Sequence, residues 1–307
     1  MRRLVALAAV AALAAACSPR GTAPVRPNAI EQMAPTLGLD VTSARRTGLD
    51  FVRAYAEAAD DAGARLRALA GTRKLLRWAE WVGVQVQQFR GHIVGRVEVD
   101  HVSFLGFVRL GQAGGGPFGA QLDLDAAVVL TFDPVRGDPV QRARLFQGPM
   151  TLFRRGLADW GVVDVFRDGV SMDGAIHLID ERASSDGLTV ELDSVFSFVP
   201  EWSVNLVITN RTGSPVSLLP PEAAIAGPAG ARIEGQGGTA NLRRVPDGVR
   251  GMRAIVTFPA VPEVAGAVLH LPFRLPGRRG RIDFAFPLGR LLSLAEPPAG
   301  SPPPAPS

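Results

Sequence analysis

The sequence predicts an α+β fold, in which N-terminal helices pack on a curved antiparallel sheet, followed by a second domain that is all β. Two features carry this prediction. Apolar residues recur at every third or fourth position over residues 42–89, as on one face of a helix. From residue 96 onward the apolar period is two, as in a half-buried strand, and Gly and Pro turns separate the segments.

The first helix is predicted to begin beside Thr42 or Ser43, either of which can cap a helix with its hydroxyl. Its apolar residues are spaced by three and four. They are Leu49, Val52, Tyr55, Ala56 and Ala59. Gly63 and Gly71 then bracket a short segment.

A second long helix is predicted from Thr72 to about Phe89, with Gly91 ending it. Its apolar face contains Leu75, Ala79, Val82, Val86 and Phe89. Trp78 and Trp81 lie on neighbouring faces of this helix. With Phe89 they could line an apolar pocket, and packing in the core explains them equally well.

Strands follow the helices. They are predicted at residues 96–101, 121–126, 142–153 and 160–166, with a hairpin loop at 154–159. Alternation along the second strand places Asp123 and Asp125 on the face opposite to its apolar residues. Because no helix is predicted after these strands, residues 42–172 form a domain with helices first and an antiparallel sheet second.

The second domain is predicted at residues 173–290. Its clearest strands lie at 188–198, 202–210, 251–258, 267–275 and 281–286, with a shorter one at 216–218. About seven short strands with Gly and Pro turns, and no helical period, are typical of a β-sandwich.

Two segments resemble the cone fold named after nuclear transport factor two, also called cystatin-like. They are residues 49–56 (LDFVRAYA) and 160–166 (WGVVDVF), and the resemblance covers residues 42–169. It implies a fold and almost no particular activity, because this fold hosts enzymes, ligand carriers, dimerisation modules and scaffolds.

Residues 202–216 are similar to the immunoglobulin-like domains of many bacterial surface lipoproteins. Their pattern is Val-x-Leu-x-Ile-Thr-Asn-x-Thr-Gly-x-Pro-Val. The paired cysteines of antibody domains are missing, since the chain has a single cysteine. The resemblance implies a domain that binds or spaces rather than one that catalyses.

The N-terminus has the pattern of a secretory signal peptide. Arg2 and Arg3 precede an apolar run over residues 4–16. Those 13 residues fall short of the roughly 20 that a membrane-spanning helix needs. We therefore expect a cleaved leader at residues 1–16.

Small residues up to Ala16 precede Cys17, the only cysteine. This arrangement resembles the lipobox of bacterial lipoproteins, which implies cleavage between Ala16 and Cys17 and lipid on the thiol. Two or more acyl chains would hold the protein on a membrane, whereas one chain binds marginally. The alternative is a secreted protein with an unpaired thiol, which an oxidising compartment disfavours. By the same resemblance, Ser18 in place of an aspartate favours the outer membrane in a host that has one; otherwise the anchor lies in the cell membrane.

Composition limits the rest of the chain. Residues 17–41 and 291–307 are predicted to be a disordered spacer and a Pro-rich disordered tail. The formal net charge is +4, and loss of Arg2 and Arg3 with the leader lowers it to +2. That charge is too small to indicate nucleic-acid binding.

The sequence nominates few residues for chemistry. The histidines are His92, His101, His177 and His270, and none has a metal-ligand spacing. Asp123 and Asp125 could pair for acid–base chemistry or a cation, but a solvated sheet face is the favoured interpretation. If the cone has a catalytic pocket, Tyr55, His101 and these two aspartates are the first residues to inspect. We predict no catalytic residue, metal or cofactor.

The predicted function is that of a non-enzymatic binding or scaffold module, anchored by lipid on Cys17 outside the cytoplasm of a bacterium. Its expected partner is an envelope protein or the cell wall. One alternative is a carrier or sensor with a small apolar ligand in the cone's pocket. A second is an enzyme of the cyclase or isomerase type.

Overall fold

The computed structural model describes residues 39–87, 93–110, 117–132, 140–156, 159–167, 169–227, 230–261, 265–275 and 280–295. Helices come first along the chain and antiparallel sheets follow. The predicted α+β class is thereby confirmed.

Helix α1 (Val41–Ala56) begins one residue earlier than the predicted cap. The carboxylate of Asp40 accepts the backbone N–H groups of Thr42 (3.0 Å) and Ser43 (2.9 Å). The cap is therefore Asp40, and the prediction of Thr42 or Ser43 was wrong because an aspartate just upstream bonds both donors. The described residues thus include the last residues of the predicted spacer, where Leu39 is buried.

Three further helices complete the N-terminal part. They are α2 (Ala58–Asp61), α3 (Ala64–Leu69) and α4 (Arg73–Gln87). The predicted second long helix corresponds to α4, while Phe89 and Gly91 lie outside the described residues.

The first sheet is an antiparallel meander in sequence order. Its strands are β1 (Ile93–Arg109), β2 (Phe118–Phe132), β3 (Val140–Gly156), β4 (Asp159–Arg167) and β5 (Val170–Ser171). All four predicted strands are present. Pairing of β1 with β2 shifts register twice, between Val99 and His101 and between Phe104 and Gly106. Such irregularities bend a strand and increase its twist, which suits a sheet that wraps around helices.

Aromatic residues fill the space between the helices and the first sheet. The Tyr55 and Trp78 rings stack with centroids 5.5 Å apart, and Phe146 on β3 meets Tyr55 edge to face at 5.3 Å. Phe51 packs on the same indole, with centroids 6.0 Å apart. Trp78 is therefore a core residue, as one of the two interpretations of its spacing predicted.

The second part of the chain begins with a one-turn helix, α5 (Met172–Ala175), and continues as two antiparallel sheets. The strands of the first, in spatial order, are β11 (Gly237–Gly238), β12 (Met252–Pro259), β8 (Glu201–Asn210), β7 (Leu188–Phe196) and β6 (Ile176–Ser185). Those of the second are β10 (Arg232–Glu234), β9 (Ala224–Ala226), β13 (Val268–Arg274) and β14 (Arg281–Phe286). Apolar residues of both sheets belong to one buried core.

The first residues of the predicted disordered tail are helical. Helix α6 (Leu288–Ala295) follows β14, so part of residues 291–307 is helical. Leu288 and Leu292 are buried in the core of the two sheets, which stabilises a helix where composition alone predicted none. Residues 296–307 lie outside the described part.

The two parts of the molecule are not separated by a free linker. Phe196, Phe198 and Ile255, from the second part, belong to the buried core of the first. Met172 and Ala175 of α5 belong to it as well. The boundary predicted near residue 173 therefore falls inside a packed junction.

Candidate functional site

Helix α4 lies at the junction and contacts both parts of the molecule. Leu75 and Trp78 are buried in the core beneath the first sheet. Arg77 and Trp81, one helical turn apart, instead reach β7 of the second part. Residues four apart on a helix share a face, so both side chains can meet the same group.

That group is Asp193, which is 1% exposed. The indole N–H of Trp81 donates to its Oδ2 at 2.6 Å, the Ser194 hydroxyl donates to the same oxygen at 2.9 Å, and the Arg77 guanidinium donates to Oδ1. Pairing of β7 with β8 shifts register between Leu192 and Ser194, next to this aspartate. A buried carboxylate is stable only when it is paired and hydrogen-bonded, and here both oxygens are satisfied.

Weaker ion pairs surround this buried group. Arg73 donates to Asp180 at 3.0 Å, and Arg253 on β12 donates to Glu80 at 3.3 Å. The Arg253 guanidinium also lies 5.5 Å from the centre of the Trp81 ring. These pairs are partly exposed, so each adds little to stability.

Three carboxylates gather near the junction. Asp180, Glu191 and Asp193 offer oxygens within 4.8 Å of one another, a spacing that would suit a metal ion. However, Arg73 binds Asp180, and Arg77 binds Asp193 and lies 3.9 Å from Asp180. Arginines thus already pair with two of the three carboxylates, and we assign the cluster to ion pairing.

A cavity of about 80 Å³ lies beside this network, between α4 and the second part. Its walls include Trp78, Trp81, Arg167, Phe198, Glu201 and Asn205. The volume is well below the roughly 300–1,000 Å³ of a pocket for a drug-sized ligand. It nevertheless exceeds the roughly 10–15 Å³ that a single water requires, so it can hold a group the size of one side-chain end.

The cavity is lined by two side chains of opposite charge, Arg167 and Glu201. The Arg167 guanidinium lies 4.6 Å from the centre of the Phe198 ring. Burial raises the pKa of Glu201, and the positive charge of Arg167 and a hydrogen bond with Thr257 partly offset that effect. One positive and one negative side chain thus line the same small space.

The structure separates Tyr55 from the other residues nominated for catalysis. Tyr55 packs in the core on the helix side of the first sheet. His101, Asp123 and Asp125 lie on the opposite face, where the side chains of His101 and Asp123 are 52% and 46% exposed. The prediction of a solvated face for the two aspartates agrees with this placement.

A serine, a histidine and an aspartate do meet on that face. His101 Nε2 lies 2.8 Å from Ser103 Oγ and 3.5 Å from Asp123 Oδ2. In a catalytic triad the serine and the aspartate bind different ring nitrogens, so that one positions the ring and the other gives up a proton. Here both use Nε2, and the arrangement lacks that geometry.

Charged pairs on the same face reach across β2 and connect β1 with β3. Arg142 donates to Glu98, and Arg144 donates to Asp100, each at 2.7 Å. Exposed ion pairs of this kind stabilise a protein only modestly. These contacts explain the acidic residues of the face without a catalytic role.

His177 is the histidine with a perturbed environment. Burial lowers its pKa from 6.5 to about 4, and the positive charge of Lys74 contributes to the same direction. Its Nε2 lies 3.0 Å from Ser197 Oγ. The ring is therefore neutral near pH 7, and this half-buried side chain forms a hydrogen bond with Ser197. The predicted lipidation site, Cys17, and the cleavage position at Ala16 lie outside the described residues, as does His92.

Sequence reasoning missed both Asp193 and Asn205. Each lies within a strand whose apolar residues alternate, at a position that alternation assigns to an exposed face. In the structure α4 covers that face. The only signal in the sequence was a polar residue within each of two long apolar strands. That signal does not identify the element that covers the polar residue.

Comparisons with known proteins leave the family open. No protein-family model matches the chain. No curated protein matches it. Among solved structures, the crystal structure of the intermembrane space region of the chloroplast protein ARC6 is similar at 15% identity and a TM-score of 0.27, covering 40% of this chain and 97% of that one. Among the helices that the structure describes, none is both long and apolar enough to cross a membrane.

Proposed function

We propose that this protein is a lipid-anchored binding or scaffold module of a bacterial cell envelope, and that it catalyses no reaction. The buried Asp193 network carries this proposal, because it joins α4 to strand β7 of the second part through directional hydrogen bonds. A scaffold that presents two domains to one partner benefits from a fixed relation between them, since less conformational freedom is lost on binding.

The anchor rests on the sequence. A short apolar leader ends at Cys17, the only cysteine. Lipid on this residue would hold the folded part at a membrane surface.

Two finer assignments belong to the same proposal. Residues 42–172 are assigned to the cone fold, supported by the bulged strand β1 and by helices packed on one face of the sheet. Residues 173–290 are assigned to an immunoglobulin-like sandwich, supported by two antiparallel sheets with one shared core.

Packing in the first domain favours a scaffold over a carrier. Phe51, Tyr55, Trp78 and Phe146 occupy the space in which a carrier would place an apolar ligand. On the opposite face, the contacts of His101 lack the geometry of a triad.

Metabolic labelling with a palmitate analogue tests the anchor. We expect label and membrane retention in the wild type, loss of both in Cys17→Ser, and no change in the control Ser18→Ala. Unlabelled, soluble wild-type protein would contradict the proposal.

Double electron–electron resonance, which measures the distance between two spin labels, tests whether the two domains have a fixed relative orientation. In a Cys17→Ser background, spin labels at Val94→Cys and Arg232→Cys place one probe on each domain, because both positions are exposed. We expect a single narrow distance distribution, which Asp193→Ala broadens. A broad distribution without that change would contradict a rigid scaffold.

A further inference from the structure

Strand β1 forms one edge of the first sheet, and much of it is exposed. Among the described strands it pairs only with β2, so the backbone groups on its other side have no strand partner there. Only Gly106 and Phe107 of its 17 residues are buried. Val94, Val99 and Leu105 are three of the six large apolar side chains that the described part of the chain exposes. A long edge with exposed apolar residues is a template for another strand.

Two irregularities divide this edge. Pairing with β2 shifts register between Val99 and His101 and again between Phe104 and Gly106. Such bulges twist an edge and interrupt further pairing. Residues 93–99 (IVGRVEV) come before the first shift and are the longest part of β1 in one continuous register. Because this segment is rich in valine and has no proline, it is the part of the edge best suited to accept a strand.

The charges of this segment are complementary to those of a second copy. Val97 packs against the core under the helices, so its neighbours Arg96 and Glu98 lie on the opposite face of the sheet. Directly opposite residues of an antiparallel pair share a face, and a two-fold axis at Val97 therefore places each Arg96 opposite the Glu98 of the other copy. Moving the axis by one residue would place Arg96 or Glu98 opposite its own copy, and like charges in that position are destabilising.

We propose that two copies of this protein pair along β1 in antiparallel orientation, with a two-fold axis at Val97, so that two five-stranded sheets become one continuous sheet. Val97 then lies beside its own copy, and the exposed Val99 packs diagonally against the Val97 of the other chain. This dimer goes beyond the scaffold role, and it depends on neither the lipid anchor nor the Asp193 network.

Sedimentation equilibrium of the full chain, in the Cys17→Ser background, measures the dimer. The contact is small compared with most stable interfaces, so we expect reversible dimerisation in the micromolar range, weaker at high salt. A chain that stays monomeric into the millimolar range would overturn the proposal.

Exchange of charges tests the register. Arg96→Glu and Glu98→Arg each place like charges opposite each other at both symmetric positions, and each should weaken dimerisation about tenfold. The double variant restores opposite charges and should dimerise like the wild type, and so should a one-to-one mixture of the two single variants. The matched control is Arg144→Glu, which changes the net charge as Arg96→Glu does, on the same face but on β3, away from the edge. It should leave the dimer unchanged.

None of these three side chains is buried, so the variants should fold like the wild type. Single variants that dimerise as tightly as the wild type would contradict pairing along β1. A double variant and a mixture that both remain monomeric would contradict it equally.

A spin label at Val94→Cys alone measures the geometry independently. With the axis at Val97, Val94 lies opposite Asp100 of the other chain, so the two labels are separated by about 20 Å along the strands, at about 3.4 Å per residue. Double electron–electron resonance should detect this distance, and Arg96→Glu should reduce its amplitude. A much longer distance would place the contact elsewhere and overturn the proposal. An excess of unlabelled protein removes this signal from the interdomain measurement with labels at residues 94 and 232.

Discussion

Replacing Asp193 by alanine should destabilise the protein by about 3 kcal/mol. Removing one partner of a buried ion pair costs about 3–5 kcal/mol, because the other charge stays buried without compensation. The lower end applies here, since Arg77 keeps longer contacts with Glu80 (3.8 Å) and Asp180 (3.9 Å). Trp81 also loses the acceptor of its indole N–H.

Urea denaturation of the full chain measures this loss. Tryptophan fluorescence reports on both domains, because Trp78, Trp81 and Trp160 lie in the first and Trp202 in the second. In the wild type, fluorescence and far-ultraviolet circular dichroism should give one coincident transition, as expected for a cooperative unit. In Asp193→Ala the midpoint should fall and the two curves should separate.

Two further variants refine the result. Asp180→Ala removes an exposed partner of Arg73 and should cost at most about 1 kcal/mol. The double variant Arg77→Met, Asp193→Leu removes both charges and should recover part of the lost stability. A loss below about 1 kcal/mol in Asp193→Ala, with coincident transitions, would refute the assignment of this aspartate as the junction's main contact.

Three other changes test the remaining structure. Because the pKa of His177 is lowered from 6.5 to about 4, the folded protein holds this ring neutral while the unfolded chain protonates it. The resulting contribution to the free energy of unfolding is fully present above pH 6.5, and about 3 kcal/mol is lost as the pH falls to about 4. His177→Gln should remove that pH dependence from urea midpoints, and an unchanged slope would contradict it. Gly95→Ala would place a methyl group 1.8 Å from the Ala56 carbonyl oxygen and should cost about 1–3 kcal/mol by the same assay. His101→Ala and Asp123→Asn lie on an exposed face and should each change the unfolding free energy by about 0.5 kcal/mol or less, whereas a larger effect would indicate a role that the contacts do not show.

Local pattern predicted most elements of the fold. The first helix, α4 and the four long strands of the first sheet follow directly from apolar spacing, because each has one buried face. Strand β6 was missed, since only Ile176 of its ten residues is buried and no clean alternation results. Helix α6 was missed because its two buried leucines follow a short strand and precede a Pro-rich segment.

Local pattern could not predict the junction. Alternation assigns Asn205 to the face opposite the core that the two sheets of the second part share, and this is correct. Whether solvent or another element covers that face depends on how two separate domains pack. The same alternation is compatible with an exposed aspartate and with one that is 1% exposed, so the sequence alone did not separate them.

A polar junction restricts orientation in a way that an apolar one does not. Apolar contacts are non-directional, so a helix could shift along a sheet with modest loss. Arg77 and Trp81 instead bind one carboxylate from consecutive turns of α4, and a shift by one turn would break both bonds together. The same network fixes Asn205 through Ser194 and leaves its Oδ1 without a donor among the described residues, at a cost of about 1–3 kcal/mol.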